Sequence, residues 1–454
     1  VKVAVIGAGT AGAAAALFLA RSGHAVTVFE RVPSPGPVGA GIVLQPTGQA
    51  VLARLGLLSH ALERGARIDT LRATTSAGRQ LFELSYRDVD ARLFGLGLHR
   101  GVLFEALHEA VSGDARITLH TGVDVVGCRR RHERRLVVDA HGEEYGPFEL
   151  VVVSDGAGSR IADACVSRRV SSYPWGAFWA VLPDPQDVFA GVLSQVVENA
   201  QRMVGFLPTG RRPTKLRAAG LAREDRNPSG RVALASTDRD TDADSDTATD
   251  ADSATRTDRR GRTPDGQNVV SLFWSVRRDE VSRLRAAGIA RFREEVLRLE
   301  PRAEAVLSPL ATTDLLLFAG YHDVVMPRWH GERIVWLGDA AHAMSPQLGQ
   351  GANLALWDAM ALADAIDEAE NSGRDVGAAL ASYSDGRRDH LDFYQFATRW
   401  LTPFFQSDVT LFGFLRDVLM PAATRVPLLR RRMVRSMAGV ERGIVRAPLS
   451  LALA

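Results

Sequence analysis

The sequence predicts an α/β chain: a Rossmann-like domain, a second domain built on a β-sheet, and a C-terminal helical tail. Three observations carry this reading. The chain opens as strand, glycine-rich turn, alanine-rich helix and strand; a later stretch is rich in aromatic and β-branched residues; and the end is helical in pattern. The length of 454 residues leaves room for about three domains, or two with an insertion.

In order, KVAVI, the turn GAGTAG, a helix to about Arg21 and AVTVFE ending at Glu30 form a βαβ unit. Helical patterns follow near Thr47 to Leu55 and Arg100 to Val111, with a hairpin between Thr70 and Leu84 turning at Ser76 to Arg79. Short strands come next in ITLHT, VDVVGC and RLVVDA, and FELVVVSD is apolar enough to be buried on both faces. From Tyr173 to Val276, SYPWGAFWAVL and VVSLFWSV suit a half-covered antiparallel sheet. A polar low-complexity tract interrupts it and reads as a disordered surface insertion over 213–265. Its aspartates Asp240, Asp242, Asp244 and Asp246 are spaced as in a calcium loop, but the glycine and glutamate such a loop requires are missing. The chain returns to a strand at Arg333 to Gly338 and a long helix around Asn353 to Ala369.

The tail carries an aromatic stripe that includes Phe393, Tyr394, Phe396, Trp400, Phe404, Phe405, Phe412 and Phe414, then Arg430, Arg431, Arg432 and Arg435. A cap packed on the first domain is expected, with a membrane-surface patch as the alternative. The expected division is 1–72, 95–170 and 310–372 for the first domain, 73–94 and 171–309 for the sheet domain, and 373–454 for the helical region.

Composition excludes several classes. With 55 basic and 53 acidic side chains the net charge is +2, too balanced for an electrostatic nucleic-acid binder. Only Lys2 and Lys215 are lysines, so no Schiff-base or P-loop chemistry has a credible residue. The two cysteines, Cys128 and Cys165, build neither a disulfide framework nor a four-thiolate metal site, which points to a reducing, cytoplasmic setting with no metal centre. The apolar opening is read as the start of the first domain rather than a secretory leader, and no uninterrupted apolar run approaches the ~18 residues of a membrane span.

Three motifs carry chemistry. Gly7, Gly9 and Gly12, with Ala11 between the last two, sit on the strand-to-helix turn, where a tight turn, close backbone approach and helix packing favour a pyrophosphate. Glu30 ends the second strand, where a carboxylate accepts ribose hydroxyls, and Arg31 follows it. Together they indicate an adenine dinucleotide, NAD or FAD. The second motif runs from Val153 through Asp155 and Gly156 to Arg160, and on its own is also ordinary loop punctuation. The third is GDAAHAMSPQLGQGAN, Gly338 to Asn353: an acid and a row of backbone N–H groups aim at one place, an arrangement that binds a ribityl hydroxyl and stabilises charge on a ring.

In this order and spacing the motifs resemble the class A FAD-dependent monooxygenases, the aromatic hydroxylases of the para-hydroxybenzoate hydroxylase fold, over residues 1 to about 400 apart from the insertion. The resemblance implies that Gly7, Gly9 and Gly12 hold the FAD pyrophosphate and Glu30 the adenosine ribose. Arg100 is expected to contact the cofactor, Val125 the adenine, and Asp155 both FAD and NAD(P)H. Asp339, after Gly338, would bind the pyrophosphate and ribitol; Pro346 and the loop with Gly349, Gly351, Ala352 and Asn353 would line the isoalloxazine. Two departures stand out: Val153 and Ser154 replace the usual Gly-Ala before Asp155, and Ala162 stands where the family has arginine, with Arg160 as a substitute.

The implied activity uses FAD, NADPH or NADH and O2 to hydroxylate an aromatic or polyketide-like small molecule through a flavin C4a-hydroperoxide. Trp175, Phe178, Trp179, Phe273 and Trp274 are the expected substrate-pocket aromatics, although for each one plain sheet core is also open. His99, Tyr86 and His322 are the candidates for handling a phenol proton; His342 is read as organising its loop. The alternatives are another FAD-dependent oxidoreductase, such as an oxidase or isoprenoid reductase, and a non-enzymatic FAD-binding module. A halogenase is disfavoured, because neither Lys2 nor Lys215 is suitably placed and Trp175 to Trp179 lacks the family's tryptophan segment. Oligomeric state is left open.

Overall fold

The computed structural model describes residues 1–37, 39–213, 268–443, 449 and 451. The expected insertion falls, from residue 214 onward, outside the described residues.

The opening strand Lys2–Ile6 lies inside a six-stranded sheet, between Leu150–Val153 and Ala25–Glu30, and pairs with both in parallel. Ile117–Thr121 extends the sheet on one side and Ile334–Trp336 on the other, with the short His330–Gly331 antiparallel at the edge. Val3, Val5 and the whole of Leu150–Val153 are completely buried, as continuous apolar runs in a parallel sheet require. Helix Thr10–Arg21 packs against the long helix Gly351–Asn371. A three-stranded antiparallel sheet, Val125–Arg131, Arg134–Asp139 and Glu144–Phe148, packs through edge-on contacts of Tyr145 and Phe148 with Phe29. The last of its strands was not anticipated from sequence.

The second sheet has nine strands. Arg169–Pro183 and Val269–Arg277 pair antiparallel with Phe178 opposite Trp274 and Trp179 opposite Phe273. The antiparallel expectation fails at one joint: Gly191–Glu198 runs parallel to Ala66–Thr75. These two strands come from separate visits of the chain to the sheet, so no tight turn dictates their direction. Gly41–Leu44, Gly95–His99 and Leu317–Val325 fall in ranges expected for the first domain, yet they hydrogen-bond into this second sheet. Through them the sheet reaches the dinucleotide motifs.

The tail bridges the two domains, where the sequence suggested a cap on the first alone. Helix Val376–Phe405 packs along Gly351–Asn371, then Thr410–Arg425 and Pro427–Met437 cross to strand Gln80–Ser85 of the second sheet. The aromatic stripe is split accordingly. Tyr394, Phe404 and Phe405 are buried, and Phe404 and Phe405 join Val434 and Met437 in a cluster with Ile68, Phe82 and Phe273. Phe396, Trp400 and Phe414 are exposed.

Candidate active site

The three motifs meet at the C-terminal edge of the parallel strands. Gly7 has φ +93°, and a Cβ on Gly12 would stand 1.9 Å from the Gly7 carbonyl oxygen and 2.4 Å from Ser154 Oγ. Only glycines allow the helix to start this close to the strand. A Cβ on Gly9 would meet nothing within 4 Å, so the turn presents open space on that side. Glu30 is fixed at the strand end: one carboxylate oxygen accepts the Ala8 N–H at 2.9 Å and the other the Val32 N–H at 2.9 Å. Glu30, Arg31, Arg100 and Val125 all line one cleft with Gly7, Gly9 and Ala11.

Asp155 lines the same cleft, and its Oδ1 is buried without a hydrogen-bond partner. Burial pushes its carboxyl above the ordinary carboxylate range, against a hydrogen bond from Ser159. Arg160 does not take the place of the missing arginine, because its guanidinium pairs with Asp124 at 2.7 Å. Arg168, which sequence reasoning missed, grips the loop: its Nε donates to the Ala340 carbonyl at 2.9 Å, Nη1 to Ser159 O at 3.1 Å and Nη2 to Ala157 O at 2.5 Å. One guanidinium thereby clasps the second motif to the third. Ser154, the departure before Asp155, donates its hydroxyl to Ile6 O at 2.8 Å and so ties this loop to the first motif.

In the third motif Gly338 has φ +56° and Asp339 begins a helical turn, exposed at the cleft. A Cβ on Gly351 would lie 3.9 Å from Asp339 Oδ1, which places that carboxylate beside the N-terminus of the long helix. Pro346, Gly349, Gly351 and Ala352 line the cleft, with Gly349 in the left-handed region. Gly12, Gly338 and Asn353 stand behind its wall. Asn353 is fully used as a clamp: its Oδ1 accepts the Gln45 N–H at 2.8 Å, and its Nδ2 donates to Val43 O and Gly349 O.

Beneath this loop lies a charged network that the sequence reading did not identify. Asp358, completely buried, accepts the Gly338 N–H at 3.0 Å, lies 2.5 Å from His342 Nε2 and accepts Arg387 Nε at 2.8 Å. Arg387 Nη1 in turn donates to His390 Nδ1, and His390 Nε2 donates to Gly439 O at 2.8 Å. Burial alone would raise the Asp358 carboxyl; His342, Arg387 and its hydrogen bonds outweigh that and hold it at about 2.

The cleft has a volume of about 2050 Å³, well above the ~300–1,000 Å³ of a single small-molecule pocket. Its charged lining residues lie on the three motifs, beside them at Arg100 and Asp124, or elsewhere at Arg212, Arg285 and Asp314, with His99 and His322 as the titratable imidazoles. The lining supplied by Ala66–Thr75, Gln80–Ser85, Gly191–Glu198, Arg202–Gly210 and the tail is uncharged, as with Leu71, Phe82, Leu193, Met203, Phe405 and Met433.

Strand alternation sorts the expected aromatics. Trp179 and Phe273 line the cleft with ring centroids 5.2 Å apart. Trp175, Phe178 and Trp274 do not. Phe178 and Trp274 point to the opposite face, against Phe292 of helix Val281–Leu299, and Trp175 is buried outside the cleft. Neighbouring residues on a strand face opposite ways, so no strand could aim Phe178 and Trp179, or Phe273 and Trp274, into one pocket.

The three proton-handling candidates all line the cleft. His99 Nδ1 accepts the Gly101 N–H at 3.0 Å, capping helix Arg100–Gly113, and burial, with Arg212 nearby, lowers its pKa to about 4. Tyr86 donates its hydroxyl to Gln45 Oε1 at 2.6 Å, and burial pushes the phenol well above its usual range. His322 Nδ1 is 3.2 Å from Ser172 Oγ.

The open side of Gly9, the orphaned Asp155 oxygen and the acid at a helix N-terminus fit a dinucleotide that carries phosphates and hydroxyls. The sequence model of the family described as "FAD binding domain" matches residues 1–267 and 268–393. The chain belongs to this family of FAD-dependent monooxygenases. It is 30% identical to 6-methylpretetramide 4-monooxygenase of Streptomyces rimosus over 373 residues, 79% of this chain and 73% of that protein. It is 24% identical to 6-hydroxynicotinate 3-monooxygenase of Bordetella bronchiseptica over 396 residues, 86% of this chain and 88% of the relative. Among solved structures, 2-methyl-3-hydroxypyridine-5-carboxylic acid oxygenase superposes with a TM-score of 0.68 at 18% identity, covering 96% of each chain. PqsL of Pseudomonas aeruginosa, solved with 2-aminobenzoylacetate, gives 0.70 at 22% identity, covering 91% of this chain and 98% of the other. Both structures share the fold of this monooxygenase: the expected α/β architecture of a Rossmann-like FAD domain, a sheet domain and a helical tail.

Asp358→Ala leaves Arg387 without its carboxylate and is expected to cost roughly 3–5 kcal/mol in denaturant unfolding. Asp358→Asn keeps an acceptor for Gly338 and should fall between this variant and the parent. His99 stays neutral when folded down to about pH 4, whereas an unfolded histidine takes a proton near 6.5. The unfolded chain therefore binds the extra proton between those values, so stability falls as pH drops from 6.5 towards 4. His99→Asn, which keeps a capping acceptor, should flatten melting temperature against pH in that window. An unchanged slope would remove His99 from the account.

Proposed function

We propose that this monooxygenase binds FAD along its three motifs and hydroxylates a neutral, hydrophobic aromatic molecule held in the uncharged lobe of the cleft. One observation carries the substrate assignment: the lining given by strands Ala66–Thr75, Gln80–Ser85, Gly191–Glu198 and Arg202–Gly210 and by the tail has no charged side chain to pair with a substrate charge. A buried carboxylate there would be unpaired, at a cost of several kcal/mol.

The residues divide by role. The turn at Gly7 to Gly12 and the N-terminus of helix Thr10–Arg21 take the pyrophosphate, Glu30 takes ribose hydroxyls, and Arg31, Arg100 and Val125 flank the adenosine. Asp339 and the N-terminal N–H groups of helix Gly351–Asn371 take the ribityl side and the ring edge. Arg168 supports this arrangement by locking the Asp155 loop to Ala340. Bound FAD, reduced by NADPH or NADH, supplies the electrons that activate O2. Overall the substrate, O2, NAD(P)H and a proton give hydroxylated substrate, water and NAD(P)+.

The protein's own contribution is a dry, oriented site. Trp179 and Phe273 offer aromatic faces, and the apolar walls exclude water. Tyr86 remains a neutral phenol that positions Gln45 and serves as a donor, not a base. His99, committed to the Gly101 N–H, organises the helix start beside Arg100. His322, next to the Ser172 hydroxyl, is the candidate left for relaying a proton. A cytoplasmic, reducing setting is consistent with two free cysteines, of which Cys128 is a thiol pushed up to about 12 by burial.

The purified protein should be yellow and release FAD, and Asp339→Ala should lose most of its flavin at equal protein. Given 2-naphthol and its carboxylated analogue 6-hydroxy-2-naphthoate, the neutral compound should perturb the flavin spectrum and stimulate NADPH oxidation at least about tenfold more effectively, the equivalent of ~1.4 kcal/mol. A preference for the carboxylate would overturn the substrate assignment while leaving FAD binding intact.

A further inference from the structure

Of the fourteen exposed large apolar side chains among the described residues, ten lie between Phe396 and Leu429. They are concentrated on one part of the surface. Leu411, Phe414 and Val418 follow helical spacing along one side of Thr410–Arg425, and are 57%, 65% and 49% exposed. Leu428, 66% exposed, lies in the first turn of the next helix, Pro427–Met437, and shares its outer side with Arg431 and Arg435. Soluble monomers rarely leave so concentrated an apolar surface uncovered.

We propose that the outer face of these two helices docks on an anionic lipid surface. Charge selects this occupant. The two helices contain six arginines and a single aspartate, Asp417, which Arg416 holds at 2.7 Å. Arg430 is committed to Asp88 at 2.8 Å, whereas Arg425 and Arg431 are exposed around the apolar patch. An apolar stripe bordered by arginines matches acyl chains beneath anionic headgroups. A second copy of the chain meeting this face would set arginines against arginines, with no free acid on either helix to receive them.

The inner face of the same helices supplies Met420, Met433 and Met437 to the wall of the cleft. The two helices therefore separate the proposed lipid surface from the proposed binding lobe by one layer of helix. Delivery of a hydrophobic substrate from the bilayer rests on the substrate reading above; docking itself does not. Methionine side chains are unbranched and adaptable, which suits a wall that has to admit a bulky apolar molecule.

Vesicle co-sedimentation of the full-length, FAD-loaded protein tests docking without any turnover. Binding is expected to vesicles of phosphatidylcholine mixed with phosphatidylglycerol, to weaken with added salt, and to be slight with phosphatidylcholine alone. Arg425→Gln and Arg431→Gln should each lower the affinity about fivefold, the counterpart of ~1 kcal/mol per cation at such a surface. Combined Leu411→Ser, Phe414→Ser and Leu428→Ser should abolish sedimentation while flavin content and NADPH oxidation in solution stay at the parent level. Failure of the parent to sediment with the mixed vesicles overturns the proposal. So does a dimer, seen by light scattering, that the three serine substitutions dissociate in a protein that does not bind vesicles.

Discussion

The buried carboxylate of Asp358 is the constraint on which the cofactor site depends. It receives the N–H of Gly338, the residue at which the chain leaves the parallel sheet and turns towards Asp339. It also meets His342 in the same loop and Arg387 in the tail. A single ion thus fixes the exit of a strand, the loop that follows it and the helix that covers both. Desolvating a carboxylate and a guanidinium is costly, and the pair is sustained only because nearly every lone pair finds a donor. The pair is better regarded as a device for position than as a source of net stability. It leaves Asp339, the residue after the anchored Gly338, exposed at the cleft.

Arg168 extends the same logic to the neighbouring motif. The sequence lacks arginine at the family's usual place, and the structure provides a guanidinium six residues beyond it, on carbonyls of both loops. Arg160, the substitute that the sequence offers, pairs with Asp124 instead. A guanidinium on a long side chain is defined by where its head arrives, and loop curvature determines that more than distance along the chain.

What was legible in the sequence follows from what is local. The first motif, the buried run at Leu150–Val153, the hairpin at Ala66–Thr75 and Gln80–Ser85, and the strand-loop-helix around Gly338 were all readable, because turn chemistry and periodicity act within a few residues. The Asp358 network was not, since its partners lie 16 to 29 residues apart and a lone aspartate on a helix carries no mark of burial. Substrate aromatics were half legible. Trp179 and Phe273 were found together with Phe178 and Trp274, though period-two alternation already forbade all four from sharing a pocket. The parallel joint between Gly191–Glu198 and Ala66–Thr75 was beyond reach, because strand direction across separate chain visits is a tertiary choice.

The tail shows why a stripe of one residue type does not identify its environment. Phe404 and Phe405 are buried within the second sheet's cluster, while Trp400 on the same helix stays exposed, its ring 5.0 Å from Phe404. A helix pressed against protein on one side has another side to account for, and apolar periodicity records only that some face needs covering. Here both sides are apolar, and the difference between them is charge: the inner side meets methionines and the cleft, the outer side is edged by arginines. A covering layer that is apolar within and amphipathic without makes the same two helices a wall for the cleft and a surface of their own.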